Sequence, residues 1–302
     1  MRLTVLFIIF IFSHILLADD NQKITLQLLW KHQFEFAGFY MAKEKGYYKQ
    51  HNIDLEFKEY NFGIDIVKDV QDGVSTFGLS YPSIVLDRSN GSKVVLLNSI
   101  LQSSPHVLVS LKSSNIKTIE DFKDKKIMLG GDAIKTASFS SILNSNSMSF
   151  KNMDILPHSF NIDDLIDGKT DIISVYLSNE IYKLQEKGLD YNIWDPKDYG
   201  FDFYDDILFT SQKLIDSNPK LVENFQQASL KGWRYAFENI DETVEVILKK
   251  YNSQNKSKEH LKYEAQILKK LAFYNTTKLG EIKESKIQRI YDIYNILAHL
   301  CH

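Results

Sequence analysis

The residues with chemistry to offer are mostly flat or hydrogen-bonding side chains, set singly or in pairs at the ends of apolar runs. They are Trp30, Phe36, Asn61, Tyr81, Gln102, Asp132, Tyr176, Asn179, Glu180 and Tyr199. Aromatic faces supply contact area and a few polar atoms set orientation, so this set suits a cleft for a small organic molecule. Beyond Arg2 the chain has only Arg88, Arg234 and Arg289, and none falls in these loops. Carboxylates and phosphates are usually clamped by arginine, which disfavours a strongly anionic ligand, although a helix N-terminus could hold a small anion. Glu180 and Asp132 point instead to a neutral or cationic aromatic ligand. Gly130-Gly131 lacks the rest of a nucleotide-binding motif. The tail His299-Leu300-Cys301-His302 has soft metal-ligand types but reads as a frayed terminus, so no metal and no cofactor are expected.

Each candidate also has a structural reading. Trp30 could fill a core, Phe36 could staple the chain onto the following helix, and Tyr81 could pad the turn before Pro82. Asn179 could cap a helix and Glu180 could simply favour its dipole. Tyr199 could serve closure rather than ligand contact. Trp233 and Tyr235 lie at core spacing on a long helix and read as structural.

Strands and helices alternate around these residues. Strands are expected at 24–30, 54–60, 76–80, 94–100, 107–111, 126–129, 172–176 and 206–210. Helices are expected at 36–45, 64–71, 136–143 and 179–187, and then almost continuously at 219–238, 241–251, 257–271 and 285–299. Such alternation implies parallel sheets with helical crossovers, and ligands in open α/β sheets bind beyond the carboxyl ends of strands, where the candidates fall.

Composition sets outer bounds. The chain is 44% hydrophobic and 25% charged, ordinary for a globular protein, and its net charge of -3 makes nucleic acid an unexpected partner. Cys301 is the sole cysteine, so no intramolecular disulfide can form. At the N-terminus, Met1-Arg2 precedes an apolar run from Leu3 to Leu17, then Ala18 and Asp19-Asp20. This predicts a signal peptide over residues 1–18 and a periplasmic body. Leu16 is large for its place before the cut, which leaves an uncleaved anchor as the alternative. No cysteine follows the run to carry a lipid anchor. The remaining length, roughly 280 residues, is natural for two lobes.

The stretch from Leu29 to Tyr48, with Trp30, Gln33, Phe34, Glu35, Phe36, Ala37, Gly38, Phe39 and Tyr40, followed by Ile53-Asp54-Leu55, closely resembles the opening of periplasmic binding proteins for thiamine-pyrimidine precursors. The fungal thiamine-pyrimidine synthases share that fold and opening. Asn179-Glu180, the run Pro196 to Asp206 and Lys231 to Ala236 extend the resemblance in order along the chain. The resemblance implies a type II periplasmic-binding-protein fold, α/β in class, with lobe one from residues 19–108 plus 208–302 and lobe two from 109–207. Hinge crossings are expected near Val107 to Ser110 and Asp206 to Thr210. It further implies a monomeric, non-enzymatic binding protein that hands a heteroaromatic ligand, such as an aminopyrimidine held by Glu180, to an ABC permease. Alternatives are an input domain for a membrane signalling protein and a synthase-like enzyme. The synthases carry an interior cysteine-rich motif that this chain lacks.

Overall fold

The computed structural model describes residues 22–130, 137–150 and 153–300. Ten strands form two five-stranded sheets. They are β1 Gln22–Gln27, β2 Ile53–Lys58, β3 Phe77–Ser80, β4 Val94–Leu101, β5 His106–Leu111, β6 Lys126–Leu129, β7 Asp154–Pro157, β8 Ile172–Tyr176, β9 Tyr191–Trp194 and β10 Asp205–Ser211. The first sheet has the order β2-β1-β3-β10-β4 and the second β7-β6-β8-β5-β9. The expected alternation is present, but the sheets are mixed. Within the first, β10 runs antiparallel to β3 and β4, and within the second, β5 runs antiparallel to β8 and β9. Both exceptions are strands that the chain enters by crossing between sheets, which local periodicity does not encode.

The crossings correct the expected hinge. Val107 to Ser110 lies inside β5 and Asp206 to Thr210 inside β10, where both segments are buried. The chain leaves the first sheet at Leu101, enters the second at His106, and returns between Trp194 and Asp205. Apolar runs were expected to be hinges, but they are strand interiors whose burial fixes them. The short polar link Gln102-Ser103-Ser104-Pro105 makes the first crossing, and on sheet membership the lobe boundaries fall there and at 195–204.

The first lobe gains its helical wrap from the C-terminal third. The helix Pro219–Glu238 packs on Ala37–Glu44 so tightly that neither glycine at the contact could carry a side chain. A Cβ on Gly38 would lie 2.0 Å from Trp233 Cγ, and one on Gly232 would lie 2.1 Å from the Gly38 carbonyl oxygen. Trp233 is therefore a core residue, edge-on to Phe39 at 5.8 Å. The same C-terminal region also reaches the second lobe. Tyr182 stacks on His260 at 4.5 Å, and the Tyr263 hydroxyl donates to the Leu177 carbonyl at 3.1 Å.

Candidate functional site

A narrow cleft, open in part to solvent, runs along the seam between the sheets. Tyr81 and Asp205 line it from the first sheet, His106 from the second, and Ser103, Ser104 and Phe201 from the crossings. The Ser104 hydroxyl donates to Asp205 Oδ2 at 2.5 Å and the Asp206 N–H to Asp205 Oδ1 at 3.0 Å, so both oxygens of Asp205 are bonded. Burial holds the His106 imidazole neutral, its pKa lowered to about 4.

Beside this cleft lies a buried acidic pair, Glu35 and Asp206, 2% and 1% exposed. Glu35 sits in the 3-10 turn Phe34–Phe36, where both neighbours face the core, and Asp206 occupies β10 with a φ of 49°. That left-handed conformation is uncommon for a residue other than glycine, and such strain tends to accompany function. Gln33 Nε2 donates to Glu35 Oε2. Apart from each other, Glu35 Oε1 and both oxygens of Asp206 have no hydrogen-bond partner, and neither has the hydroxyl of Tyr176, a residue of the second sheet that feels the charge of both acids. The two carboxyls neighbour one another, so a hydrogen bond between them requires that one keep its proton. Burial, with the nearby charges of Asp205 and Glu264, pushes Glu35 up to about 8. Burial and the Glu35 charge likewise raise Asp206 well above the usual carboxylate range. One shared proton is what two buried carboxyls in contact favour.

An aromatic box forms elsewhere on the seam. Trp30 follows β1 and stacks on Tyr60 at 5.7 Å, with Phe62 edge-on at 6.0 Å and Phe160 of the second lobe 5.2 Å away. His158 holds the Phe160 loop: its Nδ1 accepts the Phe160 N–H at 2.8 Å, so its Nε2 is the nitrogen that donates to the Ser174 carbonyl at 2.7 Å. Burial lowers the pKa of His158, consistent with that neutral tautomer.

The expected site residues divide sharply. Trp30, Tyr81 and Tyr176 face the seam. Phe36 does not: it is fully buried in the core of the first lobe, which is the staple reading. Asn61 is exposed in the turn after β2. Gln102 is buried and braces the crossing, its Nε2 donating to the Ser99 and Glu281 carbonyls at 2.9 and 2.8 Å. Tyr199 is 38% exposed on the return crossing. Asp132 lies outside the described residues, as do Gly131, the apolar N-terminal run and the last two residues of the tail. Glu180 opens the helix Glu180–Glu186, but its oxygens are engaged: Oε2 accepts the Tyr176 N–H at 2.9 Å and Oε1 the Asn179 side-chain amide at 2.8 Å. Asn179 in turn accepts from Lys256, whose ammonium also pairs with buried Glu264 at 2.7 Å. Glu264 Oε2 takes the Phe34 N–H at 2.9 Å. Asn179 and Glu180 thus belong to a strut joining the second lobe to the C-terminal helices. No cluster of three or more metal-ligating side chains occurs among the described residues.

With this geometry in hand, comparison with known proteins decides the family. A family model described as NMT1/THI5 like matches residues 33–243. The chain belongs to the NMT1/THI5-like family. Among curated relatives of this NMT1/THI5-like chain, the formylaminopyrimidine-binding protein of Halalkalibacterium halodurans is 22% identical over 79% of this chain and 74% of that protein. The riboflavin-binding protein RibY of Chloroflexus aurantiacus is 25% identical over 75% of this chain and 66% of that protein. A Legionella pneumophila relative named 4-amino-5-hydroxymethyl-2-methylpyrimidine phosphate synthase is 23% identical over 76% and 74%. The periplasmic aliphatic sulphonate binding protein SsuA from Escherichia coli superposes with a TM-score of 0.70 at 11% identity, covering 92% of this chain and 87% of that one. The fold is that of two-lobed periplasmic binding proteins, as the sequence resemblance implies.

Sequence reasoning missed Glu35, Asp206, Lys256 and Glu264. A signal existed for two of them. Glu35 is the only charge between Gln33 and Met41, and Asp205-Asp206 precede the apolar run Ile207 to Phe209. A charge inside an apolar segment is costly to bury and so suggests a role. Lys256 and Glu264 carry no such mark, being two charges among many on a polar stretch.

Proposed function

We propose that this chain is an extracytoplasmic binding protein that captures a small heteroaromatic molecule between its lobes and releases it unchanged to the permease of an ABC importer. The observation that carries this reading is a set of buried polar groups from both lobes that the rest of the protein leaves without hydrogen-bond partners, the Glu35–Asp206 pair from one and Tyr176 from the other. Buried polar groups normally find partners within the protein, so groups that converge without them suit an external ligand. The aromatic box of Trp30, Tyr60 and Phe160 offers ring faces on the same seam, and two relatives are named for binding heteroaromatic compounds. The synthase name of the Legionella relative favours a second reading, an enzyme. Against it, the chain has a single cysteine, Cys301, and so no cysteine-rich interior motif.

Calorimetry with formylaminopyrimidine, 4-amino-5-hydroxymethyl-2-methylpyrimidine and riboflavin tests the reading. At least one should bind at a single site and return unaltered on chromatography. Trp30→Ala should weaken that ligand by roughly 1–3 kcal/mol, the scale of a buried aromatic contact. Conversion of the ligand would favour the enzyme, and binding unaffected by Trp30→Ala would remove the aromatic box from the site.

A further inference from the structure

The acidic pair narrows the ligand further, given that the seam is the binding site. Among the described residues, the groups that face Glu35 and Asp206 come from five places, and none brings a free positive charge. Gln33 and Tyr40 flank Glu35 on its own segment, and Asp205 precedes Asp206 on β10. Glu264 approaches from the helix Lys258–Ala272, Tyr176 from β8, and Tyr81 follows β3. Cations near the seam are engaged elsewhere: Lys256 with Glu264, Lys286 with Asp202 at 2.7 Å, and Lys197 with Asp195. Arg289 donates to the Gly200 carbonyl at 2.7 Å and Arg88 to the Val94 carbonyl at 2.5 Å. Carboxyl oxygens that have no protein donor beyond the proton the pair shares, in a buried site to which no described residue brings a free cation, match a ligand that carries both charge and N–H groups.

We infer that the seam takes a ligand with a cationic N–H donor group, an ammonium or an amidinium-like edge, gripped by Glu35 and Asp206 with the Tyr176 hydroxyl as a third contact. Its entry drives out the proton that the two carboxyls share in the free protein. A planar amidinium presents two parallel N–H groups, which suits two carboxylates side by side, and a 4-aminopyrimidine protonated at N3 has the same edge. The proton goes to solvent because a cation beside the pair favours the ionised form of both acids. A neutral or anionic ring could use the aromatic box but would bring no positive charge to displace the shared proton.

Benzamidine, cationic at neutral pH, and benzoate, an anion of the same shape, serve as probes. Titration calorimetry at pH 7.5 in two buffers of different ionisation enthalpy should show benzamidine binding with release of about one proton per site, and benzoate not binding. In Glu35→Gln or Asp206→Asn, benzamidine affinity should fall about tenfold or more and the proton release should disappear, with thermal melts confirming that both variants fold. The inference is overturned if benzoate binds as well as benzamidine, if benzamidine does not bind, or if the variants keep both its affinity and its proton release. Should the pyrimidine and riboflavin ligands bind both variants as they bind the parent while benzamidine fails, the cleft reading stands and the cationic inference alone falls. If none of these compounds binds the parent, both fall.

Discussion

Replacing Lys256 with methionine is expected to cost about 3–5 kcal/mol of stability near pH 8, the scale for stranding one member of a buried ion pair. The Lys256 side chain is 6% exposed and that of its partner Glu264 1%. Burial already raises the pKa of Glu264, and the Lys256 charge is the largest influence opposing it. Without the lysine, Glu264 would be forced either to stay charged without compensation or to take up a proton. The penalty therefore has a direction in pH. A carboxyl whose folded-state pKa is raised above its unfolded value destabilises the fold as pH climbs, so the loss should shrink towards pH 5 and be largest at pH 8. Urea unfolding of the parent and of Lys256→Met at both pH values measures this. The double variant Lys256→Met with Glu264→Gln should recover much of the loss, because glutamine can still accept the Phe34 N–H without a charge. A deficit under 1 kcal/mol, or one that is the same at both pH values, would show that the pair is not coupled as described. The variant also frees Asn179, so it should loosen the strut between the second lobe and the C-terminal helices.

The second large effect has the opposite sign. Glu35→Gln and Asp206→Asn should each make the ligand-free protein more stable at pH 8, by roughly 1–3 kcal/mol, while weakening ligand capture. Both acids have folded-state pKa values raised by burial and by each other. Their cost to the fold is absent at low pH, sets in above the ordinary value of 4.5 for Glu35, and grows until pH passes about 8, where Glu35 ionises in the folded state. The variants should accordingly gain least below about pH 4, beneath the ordinary values of both acids, and most at pH 8 or above. Asparagine is also better suited than most residues to the φ of 49° at position 206. Chemical denaturation across this range is the measurement. Variants less stable than the parent at pH 8 would mean that the carboxylates are structurally satisfied and that the acidic pair is part of the scaffold.

Much of the architecture was open to reading residue by residue. The strand Lys126 to Leu129, the strand Ile172 to Tyr176 and the helix Pro219 to Glu238 have the bounds their apolar periodicity predicts. The short strands Asp154–Pro157 and Tyr191–Trp194 escaped, because four residues at a sheet edge carry too little alternation to register. Among the candidate residues, Trp30, Tyr81 and Tyr176, chosen by the rule that ligands bind beyond strand ends, do lie on the seam. Phe36 failed the same rule because it stands in a turn whose apolar neighbours all point to the core, and Gln102 because its amide is consumed in bracing a crossing.

The sequence by itself determined the local elements, the alternation that demands layered α/β lobes, and the family signature between Trp30 and Tyr40. Those depend on interactions between residues close along the chain. Only the tertiary structure decided which acid faces the seam. Glu180 looked like the recognition carboxylate, but its oxygens are filled by the Tyr176 N–H and by Asn179. Glu35 and Asp206 become neighbours only when the turn after β1 and the start of β10, 171 residues apart in sequence, are brought together by the first sheet. Whether a carboxyl is solvated, paired or left for a ligand depends on burial and on the groups around it, and for this pair those groups come from both lobes.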